Sequence, residues 1–366
     1  METTQLLNNT PLVNEHIALN AKMVGFGGWN MPLQYDSILT EWEYNRKKCS
    51  IFDCSHMGEF IIRGDLKTSG LDRIVTQSLA DMPLKTCRYG TMLNEQGGVM
   101  DDLIVYRMAQ EEWMIVVNAS NIAKDAANFR RHLTQLAQFT DISNQTAKLD
   151  LQGSLSRDIL AALVPGIKSL AYYTFDQFEL LGEKCIISRT GYTGELGYEI
   201  YYPAENVKKI WQTFLKNDTV KPTGLGVRDV LRIEMCYALY GHELDEHLSP
   251  LEAGLSKFID FNKDFIGKQA LLDQQAQGIK RGQCFVLSSS RKSPRQGHQI
   301  FTPDGKSIGV ITSGSFAPGT QTGIGIGFIE KALNVVGSPV LFGEGKNLAP
   351  GVLVKRPFYT KGSLKN

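Results

Sequence analysis

Two adjacent aspartates, Asp101 and Asp102, stand inside an apolar stretch, and that placement constrains the fold more than any other feature of the chain. Residues 99–108 and 113–118 are rich in β-branched and long apolar side chains, and the polar run Ala109-Gln110-Glu111-Glu112 between them suits a hairpin connection. Successive strand residues point to opposite faces, so Asp101 shares a face with Val99, Leu103 and Val105, and Asp102 with Met100, Ile104 and Tyr106. Both faces read as buried. A carboxylate on a buried face costs several kcal/mol unless it is paired, hydrogen-bonded or neutralised, so at least one of the two requires a dedicated partner. The plainer alternative, an aspartate that only bonds the Gly97-Gly98 turn, stays open and fits Asp102 better than Asp101. Asn118 ends the second strand close to where Asp101 projects if the strands pair in register; its alternative is a turn-capping role.

The 366 residues allow two or three domains, and the apolar fraction of 42% is that of an ordinary globular chain. A net charge of +1 with interspersed signs supplies no basic field for nucleic acid or an anionic membrane. The six cysteines form no CxxC pair, which argues against a zinc site or redox dithiol and suits a reducing compartment. No run of about 18 apolar residues occurs, and the first residues lack a signal or transit pattern. A bacterial cytoplasmic protein is therefore expected.

Along the chain, residues 10–28 predict a helix followed by a glycine-rich turn, 38–48 a second helix, and 66–78 a third with an apolar stripe. A helix over 120–136 follows the central hairpin. Strands at 148–152 and 185–189, with helices at 154–164 and 207–216, loosely repeat the pattern. Hairpins interrupt the alternation, so α+β lobes fit better than one doubly wound parallel sheet. From about Arg281 short apolar runs punctuated by Gly, Pro, Ser and Thr predict a small all-β domain, with a boundary near 277–282.

Some motifs mislead. In His242-Glu243-Leu244-Asp245-Glu246-His247 the histidines are five apart, which on a helix separates them by roughly 140° and precludes a shared metal. Gly323-Ile324-Gly325-Ile326-Gly327 lacks the βαβ context of a dinucleotide loop and reads as a strand with close backbone approaches. No nucleophile elbow accompanies Ser55-His56. Two other stretches carry more weight. Glycine-dense GYTGELGYE brings Tyr192, Tyr198 and Glu199 near tight turns where a flat ligand can approach backbone and stack on an aromatic, the alternative being a decorated hairpin. Arg228, near a helix start, can present a planar fork to a carboxylate or carbonyl; its alternative is a salt bridge to Asp229 or Glu234.

Taken together, FGGWNMPLQY, FDCSHMGEF, RYGTMLNEQGGVMDDLIVY, VVNASN, RTGYTGELGYEIY, GLGVRDVLRIE, LYGHELDEHLSPLEAGL and KRPFY run in an order that resembles the aminomethyltransferase (T protein) family of the glycine cleavage system, nearly end to end. The resemblance implies two ferredoxin-like α+β lobes within 1–275, a folate-binding aminomethyltransferase region, and a C-terminal β-barrel in 280–366, arranged as a three-domain cloverleaf around a folate channel. It implies transfer of the one-carbon unit from the aminomethyl-lipoyl H protein to tetrahydrofolate, releasing ammonia and leaving 5,10-methylenetetrahydrofolate and dihydrolipoyl H protein. Tetrahydrofolate is the co-substrate; no metal and no flavin are expected. The lipoylated H protein is the direct partner and the other components of that system are indirect ones.

By the same resemblance Asp101 is the catalytic residue, orienting and polarising the attacking folate amine or acting as general base. Glu199 is expected to accept hydrogen bonds from the amino-pyrimidine edge of the pteridine, Arg228 to contact folate, and Met57, Tyr89, Asn118 and Tyr192 to line the channel. Tyr359 is carried over as a further folate-binding residue from a shorter match. The chain departs from the family's pattern at Gly25 and Trp42. The alternatives are a non-enzymatic folate-binding relative, whose Cys-containing KGCYxGQE-type segment is absent here, and a catalytically silent paralogue. The basic cluster Arg291, Lys292 and Arg295 is an expected steering patch for an acidic carrier, or else a solvated loop.

Overall fold

The computed structural model describes residues 7–364. Val99–Ala109 and Glu112–Val117 form the expected hairpin around a two-residue turn, and they sit at the centre of a five-stranded antiparallel sheet. Its order is Cys87–Leu93, Val99–Ala109, Glu112–Val117, Gly58–Arg63, Gln138–Asp141. Strand alternation gives this sheet two buried faces. Phe60, Ile62, Leu103, Val105, Trp113 and Ile115 pack under Phe129 of the Ile122–His132 helix. On the other face Ile61, Tyr106, Met114 and Val116 meet Phe175 and Tyr201 of the second lobe. The hairpin is thus hydrophobic on both sides because it is sandwiched between a helix and a neighbouring lobe.

The second lobe is a six-stranded sheet ordered Phe175–Leu180, Glu183–Ser188, Gly197–Pro203, Thr146–Gln152, Cys49–Asp53, Val220–Pro222. The helices Ser156–Ala161 and Val207–Leu215 cover its core. Cys49–Asp53 precedes the first lobe in the chain yet pairs with Thr146–Gln152, so the lobes are interlaced and the chain crosses between them at Cys54–Met57. Arg281–Ser288, Gln299–Phe301, Ser307–Ala317, Thr322–Glu330, Pro339–Glu344 and Asn347–Leu353 close a six-stranded barrel. Added Cβ atoms at Gly323 and Gly327 would fall 2.4 Å from the Lys292 and Val310 carbonyl oxygens, which is why that strand tolerates only glycine there.

Two local expectations differ from the structure, and the dismissed metal motif has a structural role. The first helix covers only Val13–Ala18; Asn20 then adopts φ +57°, and Lys22–Phe26 and Trp29–Gln34 form a hairpin turning at Gly27 and Gly28. Helix over 66–78 is reduced to Leu71–Ile74, because Val75 bridges Met92 and Thr76 bonds Thr91, both on the sheet edge. The 242–247 run is not helical: Glu243 accepts from Arg232 and Thr312, and His242 Nδ1 lies 3.1 Å from the Thr312 carbonyl, so the segment ties the lobes to the barrel.

Candidate functional site

Asp101 is fully buried, and three donors hold its carboxylate. Oδ1 accepts from Asn118 Nδ2 at 2.8 Å and from Asn121 Nδ2 at 2.7 Å, and Oδ2 accepts from the Asn118 backbone N–H at 3.0 Å. Asp102 is half-buried. Its Oδ1 accepts from the same Asn118 Nδ2 at 2.8 Å and its Oδ2 from the Tyr89 hydroxyl at 2.9 Å. Ile104 opposite Val116 brings the end of one strand to the start of the other, and Asn118 begins the turn into Ala119–Asn121. A bulge between Met92 and Leu93, opposite Asp101 and Val99, perturbs the alternation next to the pair; such bulges re-aim side chains. One amide therefore serves both carboxylates. The Gly97-Gly98 turn does not use either aspartate, since Asn94 Oδ1 accepts from the Gly98 N–H. Burial, then the neighbouring Asp101 charge, push the Asp102 carboxyl up to about 7 against the opposing bonds from Tyr89 and Asn118.

A second cluster lies on the sheet of the other lobe. Asp150 and Glu199 stand directly opposite across adjacent strands, and Lys148 shares their face two residues from Asp150. Lys148 Nζ lies 2.6 Å from both Asp150 Oδ1 and Glu199 Oε1, and Arg228 donates to Asp150 Oδ2 at 2.7 Å. Two cations face two carboxylates. Burial raises the Asp150 carboxyl, but Lys148 and Arg228 outweigh it and hold the group down at about 2. Burial by itself lowers Lys148; Asp150 and Glu199 hold its ammonium above the ordinary lysine value. Glu199 Oε2 accepts from Thr190 at 2.5 Å and Tyr106 at 3.3 Å.

Between the clusters stands Tyr192. Its ring stacks on Tyr237 with centroids 5.6 Å apart, and its hydroxyl donates to the Ala238 carbonyl. The Arg228 guanidinium lies 5.2 Å from the Tyr192 centroid, and Asp102 and Arg228 both act on the phenol electrostatically. Met57, at the crossing between lobes, packs with Phe52, Val227 and Leu231 on one side and with the Tyr106–Tyr201 cluster on the other. Tyr89 closes the first cluster, its ring 4.7 Å from that of Phe258. Arg228 pairs with Asp150; Asp229 and Glu234 are engaged by Arg232 and Arg46 instead.

The chain's similarity to known proteins runs along its whole length. Residues 12–263 match the GCVT N-terminal domain and 280–360 the glycine cleavage T-protein C-terminal barrel domain. The chain belongs to the GCVT family. Aminomethyltransferases of Pseudothermotoga lettingae and Thermotoga maritima are 39% and 38% identical to it, each over 98% of this chain and 100% and 99% of the relative. The crystal structure of glycine cleavage system aminomethyltransferase T from Bartonella henselae superposes with a TM-score of 0.91 at 29% identity, covering 98% of this chain and 99% of that one.

In this GCVT chain Met57, Tyr89, Asp101, Asn118, Tyr192, Glu199 and Arg228 gather around the junction of the two lobes. Tyr359 has other neighbours: its ring carries the Arg46 guanidinium at 4.0 Å and meets Trp42 edge-on, and its N–H bonds the Glu234 carbonyl. Trp42 donates to Glu234 at 2.9 Å in the same knot. A surface groove of 630 Å³ lined by Arg73, Glu95, His132 and Asp264 lies away from both clusters, and its Arg73 and Asp264 are exposed and paired.

Sequence reasoning passed over Asn121, Lys148 and Asp150. The last two were within reach of the argument that found Asp101, since Lys148-Leu149-Asp150-Leu151 puts charges among buried strand residues. Asn121 carried no such signal, because an asparagine beside a helix start reads as a cap.

Proposed function

We infer that this chain is the tetrahydrofolate-dependent aminomethyltransferase of a glycine cleavage system, an activity carried by its end-to-end relationship to named aminomethyltransferases. The co-substrate supplies the nucleophilic amine that accepts the one-carbon unit. Asp101 is the catalytic residue: three fixed donors preset its rotation, so its negative charge meets a developing cationic centre without reorganisation. Asn118 holds Asp101 and Asp102 in register, and Tyr89 fixes the far oxygen of Asp102. Folate binding falls to Arg228, Tyr192, Met57, Tyr89, Asn118 and Glu199. Glu199 Oε1 accepts Lys148, and a carboxylate oxygen offers two lone pairs, so it retains capacity for a pteridine N–H. Tyr359 supports the site from a distance by packing on Arg46.

No cluster of three or more metal-type ligands occurs among the described residues, and the roles above need neither metal nor flavin. The lipoylated H protein is the proposed carrier, supported by the family's place in the glycine cleavage system. The folate-binding region is assigned to 1–275 and the barrel to 280–366. No helix among the described residues is long and apolar enough to cross a membrane. A cytoplasmic location is supported by the bacterial origin of the relatives.

The test is ammonia release from aminomethyl-loaded H protein with and without tetrahydrofolate. Strong folate-dependent release supports the assignment; folate binding without turnover moves the reading to a silent paralogue.

A further inference from the structure

Asp125 lies on the Ile122–His132 helix, one turn beyond Asn121. Residues four apart share a helix face, and Asn121 already donates to Asp101 Oδ1. Asp125 is 0% exposed, and among the described residues no N–H or hydroxyl donor reaches either of its oxygens. The group within hydrogen-bonding reach is the Asp101 carboxyl. A buried ionised carboxylate with no donor costs several kcal/mol, whereas two carboxyls in contact are stable when a proton lies between them. We propose that Asp125 is a positioning residue that stays protonated and donates its O–H to the Asp101 carboxylate, so that the pair carries one proton and one negative charge.

The surroundings favour that state. Asp101 and Asp102 face Asp125 from the strand, and Lys124 is the charged neighbour on its own helix. Lys124 Nζ is committed elsewhere, to Glu246 Oε1 at 2.9 Å and to the Met100 carbonyl and Tyr240 hydroxyl at 2.8 Å. Burial, followed by the Asp101 charge, pushes the Asp125 carboxyl up to about 11, with Lys124 opposing. Asp101 Oδ2 accepts one backbone N–H and has a lone pair to spare. The added O–H bond fixes the carboxylate plane and moderates its basicity without adding a second charge. Proton inventory at the site is thereby set by the helix, not by the hairpin.

This inference rests on Asp101 being the reacting carboxylate, and the test separates the two. The native protein is prepared with carboxyl-¹³C aspartate, and its infrared spectrum is recorded at about pH 9, above the Asp102 range and below that of Asp125. Expected is a protonated-carboxyl band that shifts with the label and vanishes in Asp125→Asn while surviving in Asp101→Asn. Isotopic labelling of aspartate excludes buried glutamates such as Glu59, and the native spectrum, which needs no variant, tests whether any aspartate holds its proton at that pH. In turnover, Asp125→Leu removes the donor; its rate falls more than tenfold near neutrality and its acid limb moves to higher pH, while Asp125→Asn keeps a donor and recovers most of the loss. Absence of a label-sensitive band in the native protein, or a native pH profile in Asp125→Leu, overturns the proposal. Full turnover in Asp101→Asn instead removes the reading of Asp101 and leaves the infrared result for Asp125 standing.

Discussion

The two carboxylate clusters solve the same problem in opposite ways. On the second lobe Asp150 and Glu199 are neutralised by Lys148 and Arg228, so a buried network holds equal numbers of both charges. On the first lobe Asp101 and Asp102 share neutral amide and hydroxyl donors, with no cation bonded to either among the described residues. In the balanced cluster Lys148 and Arg228 keep Asp150 ionised down to about pH 2, and the network fixes shape. In the unbalanced one Asp102 keeps its proton up to about neutrality, beside the carboxylate proposed to meet a transient cation or move a proton. With the roles proposed above, the difference separates a ligand-binding wall from a reactive one.

The sharpest way to break this contrast is Asp101→Asn. Folate-dependent ammonia release is expected to fall by about 10²–10⁴-fold, with folate affinity and thermal stability close to native; native turnover would remove Asp101 from the chemistry. In the balanced cluster the first loss is stability. Lys148→Met leaves two buried carboxylates facing the single Arg228 cation and is expected to cost about 3–5 kcal/mol in denaturant unfolding. A variant as stable as the native chain would show that Lys148 is dispensable.

The clusters also respond to pH with opposite sign. Folded Asp102 binds its proton more tightly than the unfolded chain, so its contribution is complete below about pH 4 and lost as pH rises to about 7. Asp150 is depressed, so its contribution is complete above about pH 4 and lost as pH falls to about 2. Unfolding free energy measured against pH should therefore lose, in Asp102→Asn, a slope of at most about 1.4 kcal/mol per pH unit between those limits. An unaltered profile would place the titrating proton elsewhere.

The smallest expected effect lies outside both clusters. Arg291 and Arg295 are exposed on the barrel, Arg291 against Phe316 and Lys292 bonded to Asn347. Charge reversal at all three should slow association with an acidic carrier by a few fold, with a weaker salt dependence and unaltered folate affinity. Unchanged association by stopped flow would dismiss the patch as a solvated loop.

The hairpin over 99–117, the buried status of Asp101 and the Asn118 partnership were legible from strand alternation and the cost of burying charge, both of which act locally. The all-β texture after Arg281 was legible for the same reason: turn residues punctuate short apolar runs wherever they lie. Helices were over-read at 10–28 and 66–78, where apolar spacing suits either period and pairing with a sheet edge decided.

Composition and local pattern by themselves determined an α+β chain with a β-rich end and carboxylates that required partners. Only the tertiary structure decided which partners they obtained. Arg228 lies far from Asp150 in sequence, Cys49–Asp53 reaches its sheet by crossing between lobes, and Asp125 meets Asp101 across a helix–sheet interface. Such pairings depend on how two sheets and a helix dock, and docking is set by the packing of whole faces; no window of neighbouring residues encodes it.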